Sequence, residues 1–237
     1  MKRERKITKA VLKRSFNAAY PIMLGYVAIG IPCGILSASV GMNWLQVLLF
    51  SIFFYSGAGQ FMIPNMYLAG SDLISIIGSV SFVNTRQMLY SASLAPHCKK
   101  CGKRKLFWYM ATVTDETYGI SISNFKKGNW SIENAIFLNE FSHASWTIAC
   151  VFGVFIGSLV NIPLEIASFA MTCMFIYLAT TALDSKPAFV AAGVAIVSVV
   201  ALKSFGIGSA SIFFAAIIGV FFGFLSTLHL QGGRKDK

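Results

Sequence analysis

Three charged side chains lie inside stretches that are otherwise apolar. Arg86 lies between residues 73 and 95, and Asp115 and Glu116 lie between residues 106 and 125. In a bilayer an arginine costs at least about 2.5 kcal/mol on insertion scales, so we expect it to pair with an acid or to line a wet cavity. Its guanidinium stays protonated and can hold a carboxylate through two parallel hydrogen bonds. Arg86 is therefore predicted either to bind a substrate carboxylate or to form a structural ion pair.

The two acids are adjacent, so on a helix they point about 100° apart and cannot face one partner equally. We expect Asp115 or Glu116 to pair with Arg86 while the other meets water or substrate. A carboxyl whose pKa is raised by desolvation can exchange protons with its surroundings, which suits proton coupling. The alternative is a helix cap, with Thr114 or Asp115 at a helix start and no role in transport.

A run of helix-breaking residues interrupts the apolar segment 44–69. The run reads Ser56-Gly57-Ala58-Gly59-Gln60 and is followed by Pro64. Each glycine weakens a helix by about 1 kcal/mol relative to alanine, and proline removes a backbone donor. In lipid the freed backbone groups need partners, and transporters use such breaks to aim half-helix ends at a charged solute. The alternative is close helix packing through small residues.

These patterns define the candidate site. The candidate substrate-binding residues are Ser56, Gly57, Gly59, Gln60, Asn84 and Arg86. The candidates for proton coupling or for holding a substrate ammonium group are Asp115 and Glu116.

The composition is that of a membrane protein. Of 237 residues 56% are hydrophobic and 12% charged, whereas a soluble domain carries about 25% charged residues. The net charge of +11 is concentrated in two segments: residues 1–14 hold seven Lys/Arg and one Glu, and residues 96–105 hold five Lys/Arg and no acid. Basic segments beside apolar runs are typical of cytoplasmic flanks, not of nucleic-acid binding.

The charge-free runs predict the number of membrane crossings. No charged residue occurs from 15 to 71, which is long enough for two crossings around a turn at Gly41-Met42-Asn43. If residues 1–14 and 96–105 are both cytoplasmic, an even number of crossings must join them. Three apolar segments lie in that interval, so one of them is expected to be re-entrant or a broken hairpin.

We therefore predict an all-α integral membrane protein with about six transmembrane helices plus one or two broken or re-entrant segments. Its parts are a basic cytoplasmic N-terminus at 1–14, a single transport domain at 15–230 and a polar cytoplasmic tail at 231–237. Later turns are expected near 161–163, 184–187 and 204–206.

Cofactor and enzyme signatures are missing from the sequence. His97-Cys98-x-x-Cys101 offers half of a zinc site without a second ligand pair. There is no P-loop, Gly-x-Ser-x-Gly or His-Glu-x-x-His motif. We expect no cofactor, no metal and no enzymatic activity.

Three motifs in order resemble those of a known family. They are Phe54-Tyr55-Ser56-Gly57-Ala58-Gly59-Gln60-Phe61, then Asn84-x-Arg86 leading to Ser93-Leu94-Ala95-Pro96, and Thr114-Asp115-Glu116-Thr117-Tyr118. The sequence resembles the AzlC family, the azaleucine-resistance, branched-chain amino acid exporters of bacteria. The resemblance spans about 15–225, although the C-terminal third resembles the family only in hydropathy. The basic loop Cys98–Lys105 departs from the family pattern.

The resemblance implies export of branched-chain or related hydrophobic amino acids across the bacterial cytoplasmic membrane. It also implies an ion gradient as driving force and a small AzlD-like membrane subunit as partner. In the predicted site the substrate carboxylate meets Arg86 or backbone donors near Gly57–Gln60, and the ammonium group meets Asp115 or Glu116. The alternatives are a membrane-embedded enzyme acting on a lipid-borne substrate and a small-solute channel.

Overall fold

The computed structural model describes residues 8–98, 101–128, 130–159, 185–205 and 210–232, with scattered positions between 160 and 184. The described residues form nine α-helices, a short 3-10 helix at Ala95–Cys98 and no strand. The helices are α1 (Lys9–Ser39), α2 (Trp44–Phe53), α3 (Gly57–Leu68), α4 (Leu73–Leu94), α5 (Lys103–Ala111), α6 (Asp115–Lys126), α7 (Ile132–Leu159), α8 (Lys186–Ser204) and α9 (Ala210–Gly232).

The prediction of an all-α integral membrane protein is confirmed. Within the described ranges, α1, α7 and α8 are long and apolar enough to cross a bilayer. The chain divides into two compact units, one of residues 1–71 and 83–171 and the other of residues 72–82 and 172–237. The predicted turn near 161–163 and most of both charged ends lie outside the described residues.

Helices α1 and α7 form the centre of the first unit and run parallel. The Ser15 hydroxyl donates to the Asn134 carbonyl near the start of both helices, at 3.0 Å, and Gly34 meets Gly153 near their other ends. A Cβ on Gly34 would lie 1.9 Å from the Cys150 carbonyl oxygen. Only glycine therefore allows the two backbones to approach this closely, and this pair of helices uses small residues for packing.

Two short helix pairs are each interrupted by three residues. The break between α2 and α3 covers Phe54–Ser56, and the break between α5 and α6 covers Thr112–Thr114. The first break was expected at the glycines, but Gly57 and Gly59 begin α3 and Pro64 lies within it. The reason is that the Ser56 hydroxyl accepts from the Gly59 N–H and caps a new helix at this point.

The pair α5–α6 is re-entrant. Phe125 at the end of α6 stacks on His97, which lies just before the start of α5, with ring centroids 5.1 Å apart. Tyr118, earlier in α6, stacks on Tyr90 of α4 at 4.5 Å. α5 and α6 therefore enter and leave at one end of the first unit. This near end also holds the start of α1, because the Arg14 guanidinium lies over the Trp130 ring between α6 and α7.

The pair α2–α3 enters from the opposite, far end. Four residues separate the end of α1 from the start of α2, and the Ser51 carbonyl of α2 meets His143 midway along α7, at 2.9 Å. α4 passes from Asn84, beside Ser56, to the near end at His97. Gln60, in the first turn of α3, bonds to Trp146, which lies three residues beyond His143 toward the far end of α7, so α3 turns back toward the far end. The structure thus contains the two re-entrant segments that were allowed by the sequence prediction.

In the second unit α8 and α9 pack closely through small residues. A Cβ on Gly219 would lie 2.7 Å from the Ala191 carbonyl oxygen, and one on Gly223 would lie 2.8 Å from the Ala191 Cβ. α8 begins at Lys186 and ends at Ser204, close to the predicted turns at 184–187 and 204–206. None of the residues of α8 is buried, and large apolar side chains such as Phe189, Ile196 and Val197 are exposed, as is typical of a helix in contact with lipid.

Candidate functional site

Arg86 and Asp115 form an ion pair between α4 and the first turn of α6. The Arg86 Nη1 lies 2.7 Å from the Asp115 Oδ2, and the two side chains are 25% and 14% exposed. The expected pairing of Arg86 with one of the two adjacent acids is therefore present. The Arg86 Nε is buried and finds no acceptor among the described residues, so the guanidinium keeps a donor for a further partner.

The start of α6 is held by a hydroxyl network. The Thr114 hydroxyl caps the helix by accepting from the Thr117 N–H, and the Thr117 hydroxyl accepts from the Thr114 N–H. The Tyr26 hydroxyl, from α1, lies 2.7 Å from the Thr114 Oγ1 and donates to the Glu116 Oε2 at 2.8 Å. The helix cap and the ion pair, which the sequence left as alternatives, both exist here.

The start of α3 has a matching cap with different surroundings. The Ser56 hydroxyl accepts from the Gly59 N–H at 3.1 Å and donates to the Asn84 Oδ1 at 2.6 Å. The Gln60 N–H bonds to the Ser56 carbonyl. The N–H groups of Gly57 and Ala58 have no acceptor within the described part of the chain, as is usual for the first turn of a helix.

Gln60 connects the two halves of the site. Its amide donates to the Phe54 carbonyl at 2.8 Å and accepts from the Trp146 indole at 2.6 Å. The Trp146 ring meets the edge of the Tyr26 ring at 5.3 Å. Gln60 is buried and both ends of its amide are engaged, so it holds the start of α3 in place.

Sequence reasoning missed Tyr26 and Trp146 as parts of this cluster. Each lies in an apolar stretch with no charged residue beside it. The polar atoms that they bind lie 86 to 90 positions away in the chain. The one sequence signal is the hydroxyl or indole N–H itself, which in an apolar environment needs a partner.

The two helix starts differ in charge although their caps match. The first turn of α6 holds Asp115 and Glu116, whereas the first turn of α3 contains no acid. A helix N-terminus carries about half a positive charge, which the two acids offset at α6 and nothing offsets at α3. α4 joins the two starts, because Asn84 contacts Ser56 and Arg86 contacts Asp115.

An all-α membrane protein in which two broken helices present their N-termini to one polar cluster has the architecture that secondary transporters use for charged solutes. Comparison with known proteins agrees with this class. Residues 21–160, more than half of the chain, match the family described as AzlC protein. The chain belongs to the AzlC family.

Relatives support a membrane transporter. The chain is 27% identical over 172 residues to the branched-chain amino acid transport protein AzlC of Bacillus subtilis, covering 70% of this chain and 66% of that protein. It is 30% identical over 141 residues to the inner membrane protein YgaZ of Escherichia coli, covering 58% of each. An uncharacterized membrane protein of Helicobacter pylori is 29% identical over 170 residues, covering 70% of this chain and 74% of that protein. No solved structure matches.

Proposed function

We propose that this chain is a secondary transporter that exports branched-chain or related hydrophobic amino acids. The observation that carries the proposal is the pair of capped helix starts with opposite charge, at Gly57–Ala58 and at Asp115–Glu116, joined by α4. A zwitterionic amino acid has one negative and one positive end. The two helix starts offer one complementary group to each end.

The carboxylate end fits the start of α3. The N–H groups of Gly57 and Ala58 point out of the helix end and carry the positive end of its dipole. Arg86 is paired with Asp115, so it is not a free carboxylate clamp, although its buried Nε keeps a donor beside the cluster. This refines the role that the sequence analysis predicted for Arg86.

The ammonium end fits Glu116. Arg86 neutralises Asp115, whereas the described contact of the Glu116 carboxylate is the neutral Tyr26 hydroxyl. Glu116 therefore carries the uncompensated negative charge of the cluster. A carboxylate in this position can hold an ammonium group or take up a proton, which links substrate binding to the proton gradient.

The apolar side chain of the substrate fits the aromatic and thioether surface of α3 and its preceding break. Phe61 is fully buried beside this surface, and the Phe54 ring covers Gly59. Phe54 and Met62 are half-buried and remain accessible to a solute. Hydrophobic contact of this kind discriminates weakly among aliphatic side chains, so leucine, isoleucine, valine and methionine are all proposed substrates.

The cellular setting is part of the proposal. The basic residues 1–14 place the start of α1 in the cytoplasm of a bacterial cell, and the near end then faces the cytoplasm. A small AzlD-like membrane subunit is the proposed partner, and the unburied apolar surface of α8 is available to it.

Efflux from vesicles tests the proposal. Vesicles loaded with labelled leucine, valine or methionine, with and without the partner subunit, are expected to lose unchanged solute only under an imposed proton gradient. Glu116→Gln is expected to reduce gradient-driven efflux by more than about tenfold, because the charge that binds the ammonium group is lost. Arg86→Ala and Asp115→Asn are expected to reduce it as well, since each leaves the other charge without its partner.

Asp72→Asn is the matched control, because the exposed Asp72 carboxylate precedes α4 and, among the described residues, bonds to Ser75 alone. Full efflux by Glu116→Gln at equal expression would contradict the site assignment. Conversion of a lipid-borne compound without a gradient would favour the enzyme alternative, and passive flux insensitive to pH would favour the channel.

A further inference from the structure

The first unit contains an internal repeat with a constant spacing. α3 spans Gly57–Leu68 and α6 spans Asp115–Lys126, so equivalent positions are 58 residues apart. The helices that precede them, α2 and α5, end at Phe53 and Ala111, which are also 58 residues apart. Each break is three residues long and each ends on a hydroxyl cap, Ser56 or Thr114.

The turns after the two half-helices obey the same spacing. Gly70 follows α3 with φ of 73°, and Gly128 follows α6 with φ of 72°. Both lie in the left-handed region that favours glycine. The equivalence therefore extends from the break, through the half-helix, to the turn that ends it.

The contacts of the two caps are also equivalent. The Ser56 hydroxyl meets the side chain of Asn84 in α4, and the Thr114 hydroxyl meets the side chain of Tyr26 in α1. Tyr26 and Asn84 are again 58 positions apart. Each repeat thus supplies, from its long helix, the side chain that holds the cap of the other repeat.

The two repeats run in opposite directions. α1 runs from the near end to the far end, and α4 runs from far to near. The α2–α3 hairpin enters from the far end, whereas the α5–α6 hairpin enters from the near end. Inverted repeats of this kind, related by a pseudo-two-fold axis in the membrane plane, let a transporter exchange two conformations in which the central site is open to different sides.

We propose that Tyr26 and Asn84 are equivalent positioning residues that close the central site toward opposite membrane faces. The Tyr26–Thr114 contact holds the tip of the near hairpin, α5–α6, against α1. The Asn84–Ser56 contact holds the tip of the far hairpin, α2–α3, against α4. Release of the first contact opens the site to the near face, and release of the second opens it to the far face. The inference goes beyond the proposed substrate, because gating is defined without reference to the solute.

Sided labelling of one central cysteine tests the inference. The five native cysteines are replaced by alanine, and Gly57→Cys places a thiol at the half-buried start of α3. A membrane-impermeant maleimide is applied without substrate to inside-out and to right-side-out vesicles. Tyr26→Phe removes the hydroxyl that contacts both Thr114 and Glu116. It is expected to speed labelling from the near face by at least about fivefold, the shift that one net hydrogen bond supports. Asn84→Leu is expected to do the same from the far face.

Two kinds of control separate gating from damage to the fold. Tyr20→Phe removes an exposed hydroxyl from the same helix as Tyr26, and Asn124→Ala removes an amide that bonds only to its own helix at Ile120. Both are expected to leave labelling unchanged on both faces. Thr114→Val and Ser56→Ala break the same two contacts from the cap side, and each is expected to reproduce the sidedness of its partner substitution.

Faster labelling on opposite faces supports the inference even if no amino acid is transported. Faster labelling by both substitutions on one face, by one of them alone, or by neither would overturn it. Absence of amino acid efflux by the chain that retains Gly57, with the sided pattern intact in the Gly57→Cys background, would instead count against the proposed substrate.

Discussion

The start of α3 and the start of α6 have the same backbone design and carry opposite charge. Each follows a three-residue break, each is capped by a hydroxyl, and each hydroxyl contacts a side chain of the other repeat. The first turn reads Gly57-Ala58 in one and Asp115-Glu116 in the other. The difference shows that one backbone design can present opposite charge, because Asp115 and Glu116 add negative charge to a helix start that is otherwise positive.

The two helix starts also differ in the residue at their third helical position. Thr117 completes a reciprocal cap at α6. At α3 the equivalent residue is Gly59, and a Cβ there would lie 2.8 Å from two carbons of the Phe54 ring. Glycine is needed at α3 because an aromatic ring occupies the space that the threonine side chain fills at α6.

The largest effect is expected when the threonine found at the third position of α6 is introduced at the equivalent position of α3. Gly59→Thr forces the Phe54 ring and the Ser56 hydroxyl to move, since they would lie 2.8 and 2.9 Å from the new Cβ. We expect efflux to fall more than about tenfold and the free energy of unfolding to fall by about 1–3 kcal/mol. Efflux and thermal unfolding in detergent measure the two effects.

The reciprocal substitution, Thr117→Gly, is the comparison. It removes one side-chain cap and creates no clash, so we expect a loss of about 1 kcal/mol. If Gly59→Thr were as well tolerated as Thr117→Gly, the two starts would not differ in the way that the structure indicates.

A moderate and equal effect is expected at the two equivalent turns. Gly70→Ala and Gly128→Ala each place a Cβ in open space but keep a positive φ, which costs about 1–2 kcal/mol. We expect the two losses in unfolding free energy to agree within about 0.5 kcal/mol. Gly119→Ala, in mid-helix with no atom within 4 Å of its Cβ, is expected to stabilise slightly. Unequal losses at the two turns would weaken the equivalence of the repeats.

The smallest effect on stability is expected at the N-terminal caps of α4 and α7, the helices that follow the two hairpins. Asp72 accepts hydrogen bonds from the Ser75 backbone and hydroxyl, and these lower the pKa of Asp72 below its usual value. The equivalent cap before α7 is the hydroxyl of Ser131. A lowered pKa in the folded state means that the stabilisation is present above the unfolded pKa of about 3.9 and is lost as pH falls below it.

We therefore expect Asp72→Ser to reduce the dependence of the melting temperature on pH below about pH 4. Above about pH 5 the substitution is expected to have little effect, because an exposed cap contributes little. Thermal unfolding from pH 3 to 7 measures both. An unchanged acid dependence would show that the carboxylate does not contribute through this cap.

Much of the fold follows from the sequence. The long apolar runs predict membrane helices, the glycines and Pro64 predict a break in 44–69, and the parity of the basic segments predicts a re-entrant piece. The pairing of Arg86 with one neighbouring acid also follows, because an arginine in lipid needs a counter-charge. The exact place of the first break was missed by a few residues, since Ser56 caps a helix that begins at the glycines.

The sequence by itself determined that this is a membrane protein, where its helices are interrupted and which charges lie among apolar residues. These properties depend on neighbouring residues, because the bilayer constrains each segment separately. Only the tertiary structure decided the direction in which each half-helix turns back, and that Tyr26 and Asn84 hold the caps of opposite hairpins. Those contacts join residues 88 and 28 positions apart, so tertiary packing, not local preference, brings them together.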